Sequence, residues 1–266
     1  MTVFPWYQGR HVVVAGGGGT GMGAAVVRAV RGSGADVTVL DLREPADGTR
    51  FVKADLGDPA AIDGAVEELG DRVDALFNCQ GIAGSSAGTT SSDVMRVNFL
   101  GVRHLSERLL PRIPSGGAVV SIASVGGLGW ERRRDAIDEL LDAGDFGAGL
   151  EWVEAQRDGI LEQAFPRTYS FSKQALIVWT MRRAVTAIER GVRVNCSSPG
   201  STRTAMAADF PEDGVRYISR PIGRDSTPEE QAWPIVFLNS DAASYINGTN
   251  LIVDGGNAAA RTLGML

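Results

Sequence analysis

The chain has 266 residues, of which 44% are hydrophobic and 22% charged, so it has enough apolar material for one large globular domain. Its formal net charge of -6 argues against nucleic acid or an anionic membrane as a partner. No apolar run is long enough to span a bilayer and residues 1–7 lack a signal-peptide pattern, which predicts a cytoplasmic protein. Cys79 and Cys196 lie in apolar runs and only two histidines are present, so we expect reduced, buried thiols and no metal site.

Short apolar runs typical of buried strands recur along the chain, and helix-like stretches separate most of them. These runs cover residues 11–15, 37–40, 51–56, 73–77, 118–123, 192–196 and 251–253, of which 51–56 is the weakest. The alternation predicts an α/β fold in which a Rossmann-type, doubly wound parallel sheet carries helices on both faces. We expect one domain over residues 1–266.

Two helix boundaries carry clear local signals. Thr227, Pro228 and Glu230 provide an N-cap, a first-turn proline and a capping-box glutamate. Gly191 is suited to end a helix that begins near Tyr169, because glycine adopts the left-handed conformation without steric cost. These signals locate the later elements of the fold.

A glycine-rich turn follows the first predicted strand directly. Residues 15–23 read Ala-Gly-Gly-Gly-Gly-Thr-Gly-Met-Gly and precede a helix-like stretch at 24–31. Glycine lets the backbone come close to a pyrophosphate, whose negative charge is stabilised by the free N–H groups at a helix start. A flexible glycine loop is the alternative, but the flanking strand and helix favour a dinucleotide site.

Asp41 ends the second predicted strand, about twenty positions beyond the glycines, where a ribose-binding carboxylate is expected. Such a carboxylate accepts hydrogen bonds from ribose hydroxyls and repels a 2′-phosphate. Asp41 therefore favours NAD over NADP, although Arg43 nearby keeps NADP open and a solvated turn residue is the alternative.

Tyr169 and Lys173 are four residues apart in a segment with few helix breakers, so both side chains are predicted to project from one helix face. A free tyrosine has a pKa near 10, and a base near neutrality needs a pKa about two units lower. A close lysine and a cationic nicotinamide ring are suited to that change. Taken alone, the pair is also compatible with an ordinary helix surface.

Together these motifs resemble the short-chain dehydrogenase/reductase family over nearly the whole chain. The family's glycine motif corresponds to Gly17, Gly21 and Gly23, its Asn-Asn-Ala-Gly element to residues 78–81, and its Tyr-x-x-x-Lys motif to Tyr169 and Lys173. Three positions depart from the pattern without touching a catalytic group: they are Gly16, Cys79 and Gln80, where the family carries threonine, asparagine and alanine.

The resemblance implies a catalytic set of Asn98, Ser124, Tyr169 and Lys173. Ser124 would bind the substrate oxygen, Tyr169 would exchange its proton, Lys173 would lower the tyrosine pKa and hold the nicotinamide ribose, and Asn98 would anchor a water. Ser121 is the strand-buried alternative to Ser124, and a purely structural role for Asn98 stays open. The implied NAD contacts are Gly17, Thr20, Gly21, Met22, Gly23, Asp41, Asp55, Leu56, Asn78, Gly81, Tyr169, Lys173, Pro199 and Thr202.

Residues 128–168 form an insertion, because 45 positions separate Ser124 from Tyr169 where the family has little more than a dozen. The pattern predicts helices at 131–143 and 150–163 and no strand. Either a substrate lid or a subunit contact is expected from its apolar residues, which are Trp130, Ile137, Leu140, Leu141, Trp152, Ile160 and Leu161.

A long insertion and the Leu-Ile-Val-Asp-Gly-Gly sequence at 251–256 most resemble the bacterial 3α-hydroxysteroid dehydrogenase/carbonyl reductase branch, which includes coniferyl-alcohol dehydrogenases. This implies a homo-oligomer, a dimer or tetramer, that acts on a hydrophobic secondary alcohol or ketone. A 3-oxoacyl-type ketone reductase and a non-catalytic NAD-binding regulator are the alternatives. Specificity is expected to reside in the insertion and in the loop at 201–220.

Overall fold

A sheet of parallel strands forms the centre of the molecule. The structure, a computed structural model, describes residues 5–210 and 218–266. Within these ranges seven strands lie in the order β3-β2-β1-β4-β5-β6-β7, and every neighbouring pair is parallel. They are β1 His11–Ala15, β2 Asp36–Asp41, β3 Arg50–Lys53, β4 Ala75–Asn78, β5 Ala118–Ile122, β6 Arg193–Pro199 and β7 Asn250–Val253. The predicted doubly wound fold is confirmed.

Helices cover both faces of this sheet, and each face has its own apolar core. One core contains residues of α1 and α8, and the other contains residues of α2, α4 and α7. The helices are α1 Met22–Gly32, α2 Pro59–Glu68, α3 Ser91–Met95, α4 Gly101–Leu109, α5 Arg134–Asp142, α6 Phe146–Ala155, α7 Tyr169–Ala187, α8 Pro228–Asn239 and α9 Asn257–Thr262. Among the described residues, none of the helices has the length and apolar character that a bilayer span requires.

The strand order determines where a ligand fits. β1 is followed outward by β2 and β3, whereas β4 lies on its other side and starts the series that leads to β7. The chain therefore leaves β1 and β4 toward opposite halves of the sheet, which opens a crevice at their carboxyl ends. The glycine turn follows β1 at this crevice, and residues 79–81 follow β4 there.

Both predicted helix boundaries are confirmed. The Thr227 side chain accepts a hydrogen bond from the Glu230 backbone N–H, and the Glu230 carboxylate accepts one from the Thr227 N–H. Gly191 follows α7 and its last 3₁₀ turn in the left-handed conformation, with φ of 74°. Local side-chain and backbone chemistry was therefore sufficient to place these ends.

The insertion is helical and has no strand, as predicted, but its second helix lies earlier than expected. α6 begins at Phe146 and ends at Ala155, whereas the sequence pattern predicted a helix over 150–163. The reason is Asp145, whose carboxylate accepts a hydrogen bond from the Ala148 N–H and so caps a helix start that the apolar pattern did not reveal.

Candidate active site

Three of the predicted catalytic side chains lie on the wall of one cavity of about 370 Å³ at the carboxyl end of the sheet. They are Ser124, Tyr169 and Lys173. Ser124 follows β5 and caps a short 3₁₀ turn, in which its Oγ accepts a hydrogen bond from the Gly126 N–H at 3.1 Å. Tyr169 begins α7, so Lys173 lies one helical turn further along the same helix. Two separate elements thus bring a hydroxyl, a phenol and an amine to one space.

Ser121 and Ser124 occupy different environments. Ser121 is fully buried within β5, where its Oγ accepts a hydrogen bond from Asn78 Nδ2 at 3.1 Å. Ser124 lies beyond the end of the strand, on the cavity wall. Only Ser124, of the two candidates, is placed where a ligand in the cavity would meet its hydroxyl.

Burial dominates the acidity of Tyr169. Because removal from water disfavours the phenolate, the pKa of Tyr169 is raised above its ordinary value, while a hydrogen bond with Ser124 lowers it by a smaller amount. The Lys173 Nζ lies 5.9 Å from the centroid of the phenol ring. That Lys173 lowers the tyrosine pKa together with a cationic nicotinamide ring stays a prediction. In the chain alone, Tyr169 is a protonated acid at neutral pH.

Lys173 is itself buried, with only 4% of its surface exposed. Burial lowers the pKa of its amine to about 8, because a charged ammonium loses its hydration there. Its Nζ donates a hydrogen bond to the Ile122 carbonyl at 2.8 Å, which fixes the amine at the carboxyl end of β5. The side chain is therefore held in place and still mostly charged at neutral pH.

Asn98 lies below the cavity in a π-helical turn at Arg96–Leu100, and its side chain is fully buried. Its Oδ1 accepts a hydrogen bond from the Ile82 N–H at 2.8 Å, and its Nδ2 donates to the Ile82 carbonyl at 2.9 Å and to Ser172 Oγ at 3.3 Å. Both N–H groups of the amide are used within the protein. Asn98 thus ties the segment after β4 to α7, and only its carbonyl oxygen has capacity left for a water.

The glycine turn has two kinds of glycine. Gly17 and Gly23 are packing positions, since a Cβ at Gly17 would lie 2.9 Å from the Val27 side chain and one at Gly23 would lie 2.1 Å from the Gly16 carbonyl oxygen. At Gly21, by contrast, the nearest atom to such a Cβ is 3.8 Å away, and Thr20 beside it is exposed. The first pair lets the helix approach the strand, and Gly21 leaves open space above the helix start.

The residues of this turn fit a dinucleotide. Gly21 is the N-cap residue of α1 and provides no side-chain cap, so the first N–H groups of the helix remain available for an anion. Asp41, at the end of β2, accepts hydrogen bonds from the Gly18 N–H at 2.9 Å and from the Arg43 N–H at 3.1 Å. Those two bonds fix the orientation of a carboxylate that keeps further acceptor capacity.

The remaining predicted cofactor residues divide into two groups. Met22, Gly81, Pro199 and Thr202 line the same cavity as the catalytic side chains. The side chains of three others have their own tasks in the fold. Asn78 Nδ2 donates to two buried serines, Leu56 belongs to the apolar core and Asp55 accepts a hydrogen bond from the Gly57 N–H. A contact from Leu56 to a cofactor would therefore involve its backbone, whereas Asn78 Oδ1 has no partner among the described residues.

Sequence reasoning missed an aromatic part of the cavity wall. The Phe165 and Phe210 rings meet edge to face, with their centroids 5.2 Å apart. The centroid of the Tyr169 ring lies 6.2 Å from that of Phe165 and 5.5 Å from that of Phe210. Phe165 ends the insertion and Phe210 lies in the loop after β6, of which residues 211–217 are outside the described residues. Phe165 precedes Tyr169 by four residues in the sequence, but nothing in the sequence indicated Phe210.

The wall is almost free of charge. Among the described residues that line the cavity, Lys173 is the only one with a basic or acidic side chain other than the phenol and a thiol. That thiol belongs to Cys79, which is only partly buried and so differs from the expected buried position. Cys196 is fully buried, as predicted. Both are free thiols. The cavity suits an uncharged ligand around the reacting groups.

The seven apolar residues singled out from the insertion do not line this cavity, so they do not form the expected lid, although Phe165 and Pro166 near the end of the insertion do line it. Ile137, Leu140 and Leu161 are fully buried and join the core that contains α7. The Trp152 ring stacks on Phe171 of α7 at 5.8 Å. Trp152 remains partly exposed, so a subunit contact by the insertion stays a prediction. Trp130, Leu141 and Ile160 pack against or within the same core.

Comparisons with known proteins agree with this architecture. A family model described as short chain dehydrogenase matches residues 10–132, and one described as enoyl-(acyl carrier protein) reductase matches residues 157–258. The unmatched stretch between them holds all of α5 and α6, the two helices of the insertion.

Relatives of known name match almost the full length. The chain is 33% identical to a coniferyl-alcohol dehydrogenase of Pseudomonas sp., covering 93% of this chain and 96% of the relative. It is 30% identical to the 3-alpha-hydroxysteroid dehydrogenase/carbonyl reductase of Comamonas testosteroni, covering 92% and 95%. The crystal structure of a Pseudomonas sp. 3-alpha-hydroxysteroid dehydrogenase in complex with NADH superimposes with a TM-score of 0.79 at 29% identity, covering 96% and 99%. The chain therefore belongs to the short-chain dehydrogenase family and is an oxidoreductase.

Proposed function

We propose that this protein transfers hydride between NAD(H) and a hydrophobic secondary alcohol or ketone, with Ser124, Tyr169 and Lys173 as its catalytic residues. The observation that carries the proposal is the meeting of these three side chains on one nearly uncharged cavity at the carboxyl end of the sheet. Met22 of α1 lines that cavity as well, so the space is continuous with the start of the glycine-turn helix. A ligand spanning both would bring a dinucleotide to the catalytic groups.

NAD is the cofactor that the residues of the crevice support. The uncapped start of α1 suits a pyrophosphate, and the Asp41 carboxylate suits unphosphorylated ribose hydroxyls. When bound, the nicotinamide ring supplies the hydride acceptor or donor. The structural relative in complex with NADH supports the same cofactor.

The protein's own groups would orient the substrate and move one proton. Ser124 Oγ donates a hydrogen bond to the substrate oxygen, and the Tyr169 phenol passes its proton to that oxygen as a ketone is reduced. Burial keeps this phenol protonated, so the chain alone is prepared for reduction. Oxidation of an alcohol needs a phenolate, which positive charge brought close to the ring would stabilise, with Lys173 as the chain's own contribution.

The substrate class follows from the wall of the cavity. Phe165, Phe210 and Met206 provide apolar surface, and no described wall residue other than Lys173 carries a positive charge that could pair with a carboxylate or phosphate. The named relatives act on coniferyl alcohol and on 3-alpha-hydroxysteroids, both of which combine an alcohol with a hydrophobic ring system. We therefore infer a ring-containing hydrophobic substrate.

The test is NAD reduction, followed at 340 nm, against hydroxysteroids and aromatic or terpenoid alcohols, with a 3-oxoacyl thioester assayed in the reductive direction. Wild type and Tyr169→Phe are compared. We expect turnover of a ring-containing alcohol by wild type and a loss of at least about a hundredfold in kcat for the variant. Turnover of the thioester alone would replace the substrate class, and a fully active Tyr169→Phe would refute the catalytic assignment.

A further inference from the structure

Gln80 is a buried polar residue that the proposed mechanism does not use. It lies on the wall of the active-site cavity with 6% of its surface exposed. Among the described residues, neither its Oε1 nor its Nε2 has a hydrogen-bond partner. The carboxamide is thus removed from solvent with all of its hydrogen-bonding capacity unused.

Such burial is unfavourable unless a partner is provided. A carboxamide offers two N–H donors and a carbonyl acceptor, and leaving them unpaired costs the full desolvation of the group. The family pattern has alanine at this position, which fills the space without that cost. The glutamine therefore points to a polar partner that the chain alone does not contain.

The position of Gln80 indicates what this partner is. Gln80 is the second residue after β4 and so borders the crevice between β1 and β4. A Cβ at Gly16 would lie 2.5 Å from the Gln80 backbone N, and one at Gly81 would lie 3.7 Å from Lys173 Nζ. Gln80 thus contacts the glycine turn, and the next residue lies beside Lys173, so Gln80 borders the crevice in which a dinucleotide is expected.

We propose that the Gln80 carboxamide forms a hydrogen bond with a ribose hydroxyl of the bound dinucleotide. A ribose hydroxyl both donates and accepts, as the carboxamide does, whereas a phosphate would call for positive charge or several N–H groups. The inference rests on the proposed function, because it takes the dinucleotide as the ligand. It adds to the cofactor site a side-chain contact at a position where the family pattern has none.

The chain offers a matched control. Gln174 of α7 is also buried, with 7% of its surface exposed, and its Oε1 has no partner among the described residues. It does not line the cavity. Gln174→Met therefore removes a buried carboxamide of the same kind at a place where no dinucleotide contact is expected.

Titration calorimetry with NAD measures the contact directly. The proteins are wild type, Gln80→Met, which preserves length and volume without hydrogen bonds, and Gln174→Met. We expect Gln80→Met to bind NAD about 3- to 10-fold more weakly than wild type, the range for one net hydrogen bond, and Gln174→Met to bind as wild type does. Gln80→Ala, which restores the family's residue, is the second variant should methionine disturb folding.

Two fragments identify which ribose is involved. ADP carries only the adenosine ribose, and nicotinamide mononucleotide carries only the nicotinamide ribose. Weaker binding of either fragment by Gln80→Met supports the proposal and assigns the contact. Equal binding of NAD and of both fragments by wild type and Gln80→Met overturns it while leaving the proposed function intact. Failure of wild type to bind NAD at all would overturn both.

Discussion

Helix α7 carries different kinds of residue on two of its faces. Residues of the two faces follow each other within a single turn of the helix. Toward the cavity it presents Tyr169 and Lys173, polar groups whose ionisation is altered by burial. Toward the insertion it presents Phe171, which stacks on Trp152. One face is arranged for chemistry and the other for packing. The comparison teaches that α5 and α6 of the insertion pack against α7 away from the cavity, whereas Phe165 and Pro166 near the end of the insertion line the cavity.

This division has an energetic reason. A buried lysine amine and phenol contribute little to stability, because each loses hydration that the fold does not fully replace. The apolar residues of α5 and α6 bury surface against the same helix and offset that loss. The insertion thereby allows a polar catalytic face to be held rigidly.

Removing packing on the insertion side is expected to have a large effect on stability. Leu140 is fully buried in the core that contains Phe171, so Leu140→Ala should lower the free energy of unfolding by about 2–5 kcal/mol. Its KM values for alcohol and NAD should stay within about twofold of wild type. Urea denaturation and steady-state kinetics measure the two effects.

Phe210→Ala is the matched change on the cavity side. Phe210 lines the cavity and meets the Tyr169 ring edge to face at 5.5 Å. We expect this variant to raise the KM for the alcohol with a smaller loss of stability than Leu140→Ala. An equal rise of the alcohol KM in Leu140→Ala and Phe210→Ala would contradict the separation of a packing side from a cavity side.

The buried amine of Lys173 predicts a pH-dependent stability. Its pKa is about 8 in the folded chain against an ordinary value of 10.5, so the unfolded chain binds more protons between these values. Between pH 8 and 10.5, deprotonation of this amine therefore increases the free energy of unfolding by up to about 3 kcal/mol. Lys173→Met should lack the gain, because its side chain does not titrate.

Urea denaturation of the cofactor-free proteins at pH 7 to 10 provides the comparison. The raised pKa values of Cys79 and Cys196 act in the opposite direction as pH rises, but both thiols are present in both proteins, so their first-order effect cancels in the difference. If the difference in free energy of unfolding between wild type and Lys173→Met does not change with pH, the pKa of the Lys173 amine is not lowered by burial.

The smallest of the expected effects concerns Asp41, the last residue of β2. Asp41→Asn removes the negative charge near the ribose while preserving a side-chain acceptor, so repulsion of a 2′-phosphate should fall. The ratio of kcat/KM for NAD over NADP should decrease by about tenfold, which corresponds to about 1.4 kcal/mol. An unchanged ratio would show that Asp41 has no part in cofactor choice.

The sequence predicted those features that depend on local pattern. The strands, the glycine turn after β1 and the helix that begins at Tyr169 follow from hydrophobic periodicity and from glycine and capping residues. The start of α6 was missed because the cap at Asp145 precedes its apolar run. Motif spacing likewise indicated Asp41 as a candidate, and the resemblance to the family indicated Ser124.

Features that depend on contacts between distant segments were not predictable. Phe165 and Phe210 meet across the cavity although 45 positions separate them, and no local pattern connects them. The raised pKa of Tyr169 results from burial, which outweighs the opposing effect of the hydrogen bond with Ser124. Gln80 was visible as a departure from the family motif, but its unpaired carboxamide was apparent only once its surroundings were known.

The most direct test compares one residue from each face of α7, Tyr169 on the cavity side and Phe171 on the insertion side. The variants Tyr169→Phe and Phe171→Leu are compared in kcat and in the free energy of unfolding. We predict that Tyr169→Phe loses at least about a hundredfold in kcat and remains close to wild type in stability. Phe171→Leu should lose about 1–2 kcal/mol of stability and, where it is folded, keep a kcat close to wild type. A folded Phe171→Leu with the same loss of kcat as Tyr169→Phe would contradict the account.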